Sequence, residues 1–197
     1  YRTIGDVMYI QLKSFNGNAV EKFQEAMDAV ESRGCTGIVL DLRDNGGGDL
    51  SILEKIGNMI LPEGVIIYAQ DRHGNRISEI NSSGADMDLP MVILTNGNTA
   101  SASEALAGAA RDRGTAVLVG TKTFGKGIMQ TTYTLDNEGA FKLTTAKYYL
   151  PSGECIHEIG LTPEYEVALP DGQESRPYYM TDQEDTQLQK ALEILGQ

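Results

Sequence analysis

Residues 91–120 read MVILTNGNTASASEALAGAARDRGTAVLVG, and their pattern decides the fold class. Met91–Thr95 is a short, continuous apolar run, as expected of a strand buried on both faces. Ser103–Arg111 is alanine-rich and suits a helix, and Ala116–Gly120 returns to β-branched and apolar residues. Strand, helix and strand over thirty residues predict a parallel β-α-β unit. The pattern recurs upstream. Val7–Leu12 reads as a strand, Asn18–Arg33 as an amphipathic helix, Gly37–Leu42 (GIVLDL) as a buried strand, and Asp49–Leu61 as a helix stopped by Pro62. Val65–Gln70 and Arg76–Ile80 flank Asp71-Arg72-His73-Gly74-Asn75, a hairpin signal. Met129–Leu135 and Phe141–Tyr149 favour strand, and Gln183–Leu195 a terminal helix. No internal repeat or low-complexity linker interrupts the chain, and Pro170–Pro177 is its loosest segment. The prediction is one α/β domain over residues 1–197.

Bulk composition narrows the function. Sixteen basic residues stand against 28 acidic ones, for a formal charge of −12. No basic run exists to engage a phosphate backbone, which argues against nucleic acid and anionic membranes as partners. Cys35 and Cys155 lie 120 residues apart, with neither a CxxC nor a Cys/His cluster, so a zinc site is not expected and two buried free thiols are, with one disulfide as the alternative. No apolar run reaches the roughly 20 residues that span a bilayer. The sequence opens on Tyr1 rather than Met, as expected of a fragment or a mature product.

With only His73 and His157 present, nucleophilic chemistry here is expected to use a base other than imidazole. Ser101-Ala102-Ser103-Glu104 fits the S-x-x-E capping box, so Ser101 reads as a helix N-cap. A serine at that place also lies beside unpaired backbone N–H groups and the positive end of the helix dipole, where an oxyanion is stabilised. Asp41-Leu42-Arg43-Asp44-Asn45-Gly46-Gly47-Gly48 follows a predicted strand. Its three glycines leave backbone N–H groups open to close approach; a plain strand-to-helix turn is the alternative.

Lys126 lies 25 residues beyond Ser101, flanked by glycines. Gly120–Gly127 nearly matches the phosphate loop G-x-x-x-x-G-K-[ST], yet Gly127 replaces the magnesium-binding hydroxyl and Ile128–Leu135 favour strand over the helix such a loop needs. A nucleotide site is therefore disfavoured. A lysine of ordinary pKa, ~10.4, is only about 0.04% neutral at pH 7, and bringing it near neutrality costs ~4 kcal/mol. Burial among apolar groups can supply that, and Phe124, Ile128 and Met129 are candidates. Gln130 could orient the amine without raising its pKa as a carboxylate would; a surface lysine and a surface glutamine are the alternative. Positions 126 and 130 of an extended strand lie ~13 Å apart, so their meeting requires a bend, which Gly127 permits.

Together, LDLRDNGGG, TASASE, FGKG, Gln130 and TTAKYYLPSG closely resemble the carboxyl-terminal processing peptidases, tail-specific serine proteases, over about Ile4 to Val167. The resemblance implies Ser101 as nucleophile, Lys126 as general base and Gln130 as the residue orienting that base. It places the oxyanion donors on the N–H groups of Ala102 and a glycine of the 46–48 turn. Many members carry proline where Gly46 stands, and proline has no N–H, so Gly47 is favoured. Asp112 matches an acidic family position, read as structural support. The implied fold is the crotonase/ClpP-like twisted β-sheet core with flanking helices. The implied reaction is acyl transfer on protein or peptide tails, with no metal or cofactor, outside the cytoplasm. Members usually carry a PDZ domain before the catalytic segment, and no part of this sequence reads as one. It is therefore expected in the parent chain, or lost from this member; self-association is left open. A non-catalytic relative using the same groove for a ligand is the competing reading, disfavoured because Ser101, Lys126 and Gln130 are all retained.

Overall fold

The computed structural model describes residues 1–85, 87–136, 139–173 and 177–197. The chain runs β1 (Arg2–Ile4), β2 (Val7–Gln11), α1 (Ala19–Ser32), β3 (Gly37–Asp41), α2 (Leu50–Ile60), β4 (Gly64–Gln70), β5 (Arg76–Ser82), β6 (Met91–Thr95) and α3 (Ala102–Asp112). It continues through β7 (Ala116–Gly120), β8 (Ile128–Thr134), β9 (Ala140–Tyr149), β10 (Tyr165–Glu166) and α4 (Thr186–Ile194). The helices and longer strands lie within a few residues of their predicted bounds. The very short β1 and β10 carry no periodicity, and only pairing with their neighbours defines them.

Six strands form one sheet in the order β1-β2-β3-β6-β7-β10. From β2 to β10 every pairing is parallel, with β3 lying between β2 and β6. The continuous apolar runs now have a cause. Ile38, Leu40, Met91, Ile93 and Leu118 point into a core shared with α1, α2 and α3. Val39, Val92, Leu94 and Val119 point the opposite way, against Leu188, Ala191 and Leu192 of α4. Burial on both faces removes the polar alternation of a half-exposed strand.

A second sheet, β5-β4-β9-β8, is antiparallel throughout. β4 and β9 meet only from Tyr68↔Tyr149 to Gln70↔Lys147, where the two tyrosine rings stack with centroids 5.4 Å apart. Ala146, Tyr148 and Leu150 at the inner end of β9 are buried, which anchors this sheet to the main core. Cys35 is buried and free, whereas Cys155, expected to be buried, is half-buried and free. Among the described residues no helix is long and apolar enough to cross a membrane, and no group of three His, Cys, Asp or Glu is placed to hold a metal.

Candidate active site

Three adjacent parallel strands, β3, β6 and β7, end on one side of the sheet. Their outgoing loops carry the glycine turn, Ser101 and Lys126. In open α/β sheets, this carboxyl edge is where ligands bind. Side chains lace the three loops together. Asp44 Oδ1 accepts the amides of Asn96 (2.9 Å) and Asn98 (2.8 Å), and its N–H donates to Asn96 Oδ1 at 3.0 Å. The Thr99 hydroxyl donates to the Leu42 carbonyl at 2.9 Å, while the Thr99 carbonyl accepts the Phe124 N–H at 3.0 Å.

Ser101 is the N-cap of α3, with φ 60° and ψ −120°. A non-glycine residue in that region costs of order 1–3 kcal/mol and persists where its surroundings hold it. Glu104 does the holding. Fully buried one turn into α3, its carboxylate accepts four hydrogen bonds. Oε2 takes the N–H of Ser101 at 2.9 Å and of Lys126 at 2.8 Å; Oε1 takes the Gly125 N–H at 2.7 Å and the Thr123 hydroxyl at 2.6 Å. An ionised carboxylate has about four acceptor sites, and all are used. The Glu104 half of the predicted capping box therefore forms, and the same acid also grips the loop of Lys126.

Tyr148 adds a second tie. Its hydroxyl lies 3.1 Å from the Ser101 carbonyl and 2.5 Å from that of Lys126. Burial, and then the charge of Glu104, raise this phenol well above its ordinary pKa, so it stays a donor. Gly127 is required where it stands, since a Cβ there would come 2.7 Å from the His157 backbone nitrogen.

Ala102 is the first residue of α3 and is buried, and its N–H has no intrahelical carbonyl to reach. Gly47 packs directly against it, at φ +93°. A Cβ on Gly47 would lie 2.7 Å from the Ala100 oxygen and 2.8 Å from the Ala102 nitrogen. Gly47 thus borders the Ala102 N–H, but its own N–H donates to Asn45 Oδ1 at 2.9 Å. The donor role predicted for Gly47 requires that bond to be shared or released. Asn45 is itself fully buried, its side-chain amide donating to the Leu12 carbonyl at 2.7 Å and its backbone carbonyl accepting the Ala100 N–H at 3.0 Å.

Two expectations about the base change. Lys126 was expected to be buried by apolar neighbours; its side chain is exposed, and Phe124 beside it is 65% exposed. Gln130 is exposed as well, and its amide donates to Thr144 Oγ1 at 3.5 Å rather than to Lys126. A register irregularity between Met129 and Gln130 breaks the strand's alternation at that point. The backbones of Ser101 and Lys126 are thus brought together, while the Lys126 and Gln130 side chains extend into solvent. The loop after β7 enters strand β8, so no helix N-terminus forms a phosphate cradle. Asp112, at the far end of α3, accepts the Ser152 N–H at 2.9 Å and bonds Arg111.

Sequence reading undervalued two residues. Glu104 carried a signal, being the acid inside an alanine-rich helix whose residues 102–110 are all buried. Tyr148 carried none.

Set against known proteins, residues 6–167 match the model of peptidase family S41. The chain belongs to that family. A carboxyl-terminal-processing protease of Synechocystis is 40% identical over 189 residues, covering 96% of this chain and 44% of the relative. The carboxy-terminal processing protease CtpA of Bacillus subtilis is 34% identical over 163 residues, covering 82% of this chain and 35% of the relative. Among solved structures, the photosystem II D1 C-terminal processing protease superposes with a TM-score of 0.79 at 34% identity, over 83% of this chain and 44% of that one. The chain thus spans less than half the length of these relatives. Its two sheets and flanking helices match those of S41 protease structures.

Proposed function

We propose that this S41 domain is a serine endopeptidase that cleaves protein or peptide substrates near their carboxyl-terminal tails. One observation carries the reading: a single buried carboxylate, Glu104, binds the backbone N–H groups of both Ser101 and Lys126. A helix cap needs only the first of these bonds. The second fixes an amine-bearing residue beside a serine held at a strained φ of 60°.

In the proposed reaction neutral Lys126 takes the proton of Ser101 as its oxygen attacks the scissile carbonyl. The Ala102 N–H, with that of Gly47 once Asn45 shares it, holds the oxyanion. Lys126 then protonates the departing amine, and water, deprotonated by the same lysine, releases the acyl group. The exposed amine faces solvent in the free enzyme, and a peptide lying over Ser101 would cover it. Gln130 would turn from Thr144 to orient the amine in that complex. The names of the relatives, carboxyl-terminal processing proteases, support a substrate tail as target; an extracytoplasmic location follows from the family resemblance alone. A PDZ domain elsewhere in the parent chain would deliver the tail by strand addition.

Wild type, Ser101→Ala and Lys126→Ala incubated with an unfolded tailed peptide test the assignment. Cleavage is expected from wild type alone. Equal cleavage by all three would refute the Ser–Lys reading. Tight magnesium-dependent ATP binding would instead revive the phosphate-loop alternative.

A further inference from the structure

The turn that carries Gly47 grows out of β3, and β3 ends in a buried ionic cluster. Arg43 is 1% exposed, and all five of its N–H donors are engaged. Nε reaches both Asp41 oxygens at 3.0 and 3.1 Å. Nη2 binds Asp41 Oδ2 at 2.7 Å and Asp185 Oδ2 at 2.8 Å, and Nη1 binds Asp185 Oδ1 and Gln187 Oε1, each at 3.0 Å. The Arg43 carbonyl accepts the hydroxyl of Tyr178. Asp41 also accepts the Arg43 N–H at 2.9 Å and the Tyr9 hydroxyl at 2.6 Å, while Asp185 caps α4 through the Leu188 N–H at 3.0 Å. Burial alone would lower the Arg43 pKa, but Asp41 and Asp185 outweigh it and raise it.

Three of these partners, Tyr178, Asp185 and Gln187, lie beyond Val167, where the family match ends. Attachment of α4 does not need them. Leu188, Ala191 and Leu192 already pack on the sheet, and buried ion pairs add little to stability over apolar contacts. What a fully bonded guanidinium adds is direction, because its planar fork accepts partners in one geometry. From Arg43 the path to the reacting centre is short. Asn45, two residues on, bonds Gly47 and Ala100, and Ala100 precedes Ser101.

We infer that Asp185 and Gln187 are positioning residues for the acyl-transfer centre, acting through Arg43 to hold the 44–48 turn against the N-terminus of α3. The C-terminal segment is then a working part of the site rather than an appended helix. The kinetic half of this inference rests on the proposed peptidase reading; the structural half does not.

The test uses the full 197-residue chain with Asp185→Asn, which keeps its volume and its capping ability. Leu188→Ala is the control that loosens α4 without touching Arg43. Amide exchange by mass spectrometry should rise about tenfold across residues 44–48 in Asp185→Asn, with α3 unchanged, and should stay at the wild-type level there in Leu188→Ala. With a quenched-fluorescent peptide, Asp185→Asn should lower kcat about 10- to 100-fold and leave KM within about twofold. Leu188→Ala should lower the melting temperature and keep kcat. Unchanged exchange at the turn in Asp185→Asn, or equal kcat losses in both variants, would overturn the inference. If wild type cleaves nothing, the peptidase reading falls, and exchange at the turn still decides the positioning role. Should Asp185→Asn fail to fold, Gln187→Ala, which frees one Nη1 donor of Arg43 and the Val167 carbonyl, is read in the same way.

Discussion

Replacing Glu104 separates its two duties. In Glu104→Gln one oxygen survives, and the amide nitrogen must face two former donors. Placed at the Oε1 position, it meets the Thr123 hydroxyl, which can turn to accept, and the Gly125 N–H, which loses its partner. Placed at Oε2, it faces the N–H groups of both Ser101 and Lys126, neither of which can turn. The first orientation therefore wins, and the two bonds to the Ser101 and Lys126 N–H groups survive. The unpaired Gly125 N–H costs about 1–3 kcal/mol, and the turned Thr123 hydroxyl, which also accepts the Leu161 N–H, gives up its own acceptor besides; the melting temperature should fall by at least about 2 °C at this chain length. Cleavage should stay within about tenfold of wild type, because the reacting geometry is kept. Glu104→Ala strands all four donors. It should destabilise by about 3–5 kcal/mol and lower kcat/KM by at least ~100-fold through misplacement of Ser101 and Lys126. Thermal melts with peptide hydrolysis measured well below each midpoint distinguish the two variants. If Glu104→Ala cleaves as well as Glu104→Gln, the carboxylate does not position the pair and the argument from its four bonds is wrong.

Other consequences are equally open to measurement. Gly47→Ala should lose at least about 1–3 kcal/mol of stability and nearly all cleavage, because its φ of +93° is unfavourable and its Cβ would press on the Ala100 oxygen and the Ala102 nitrogen; denaturant titration and peptide assay report both. Tyr148→Phe should cost about 0.5–1.5 kcal/mol and less than about tenfold in kcat, since the Ser101 carbonyl keeps the Ala105 N–H. A chevron with a kinetic assay checks it, and a loss above 100-fold would promote Tyr148 to a larger role. Asp49 caps α2, and hydrogen bonds from Ser51 hold its carboxyl below the ordinary value of 3.8. A lowered folded pKa contributes stability that is present above the unfolded value and lost as pH falls through the folded one. Asp49→Asn, a comparable cap, should match wild type near neutrality and lose less stability on acidification to about pH 2; parallel acid slopes would contradict this.

Much of the molecule could be read from residue order, because the physics involved is local. The runs GIVLDL and MVILT announce strands buried on both faces, and the helices announce themselves by apolar spacing and by Pro62 as a stop. Ser101 at the head of α3 follows from S-x-x-E, and the broken phosphate motif at Gly127 follows from a missing hydroxyl and the strand that succeeds it. These features depend on neighbours within one or two turns of chain.

Contacts between distant segments depend on loop closure and packing, which leave no periodic trace. That β4 pairs with β9, and that Tyr148 reaches two carbonyls, required the second sheet to form. Glu104 was visible as a cap, but its hold on Lys126 appeared only when the loop after β7 folded over the start of α3. The expected burial of Lys126 failed for the same reason: apolar neighbours in sequence bury an amine only if they turn inward, and Phe124 turns out. Arg43 reads as one charge in a polar turn, yet it is buried because Asp185, 142 residues away, comes to it. Residue order determined the strands, the helices and the types of group at the carboxyl edge of the sheet. Tertiary packing decided which of those groups meet, because hydrogen-bond geometry and exclusion of water exist only once the layers close.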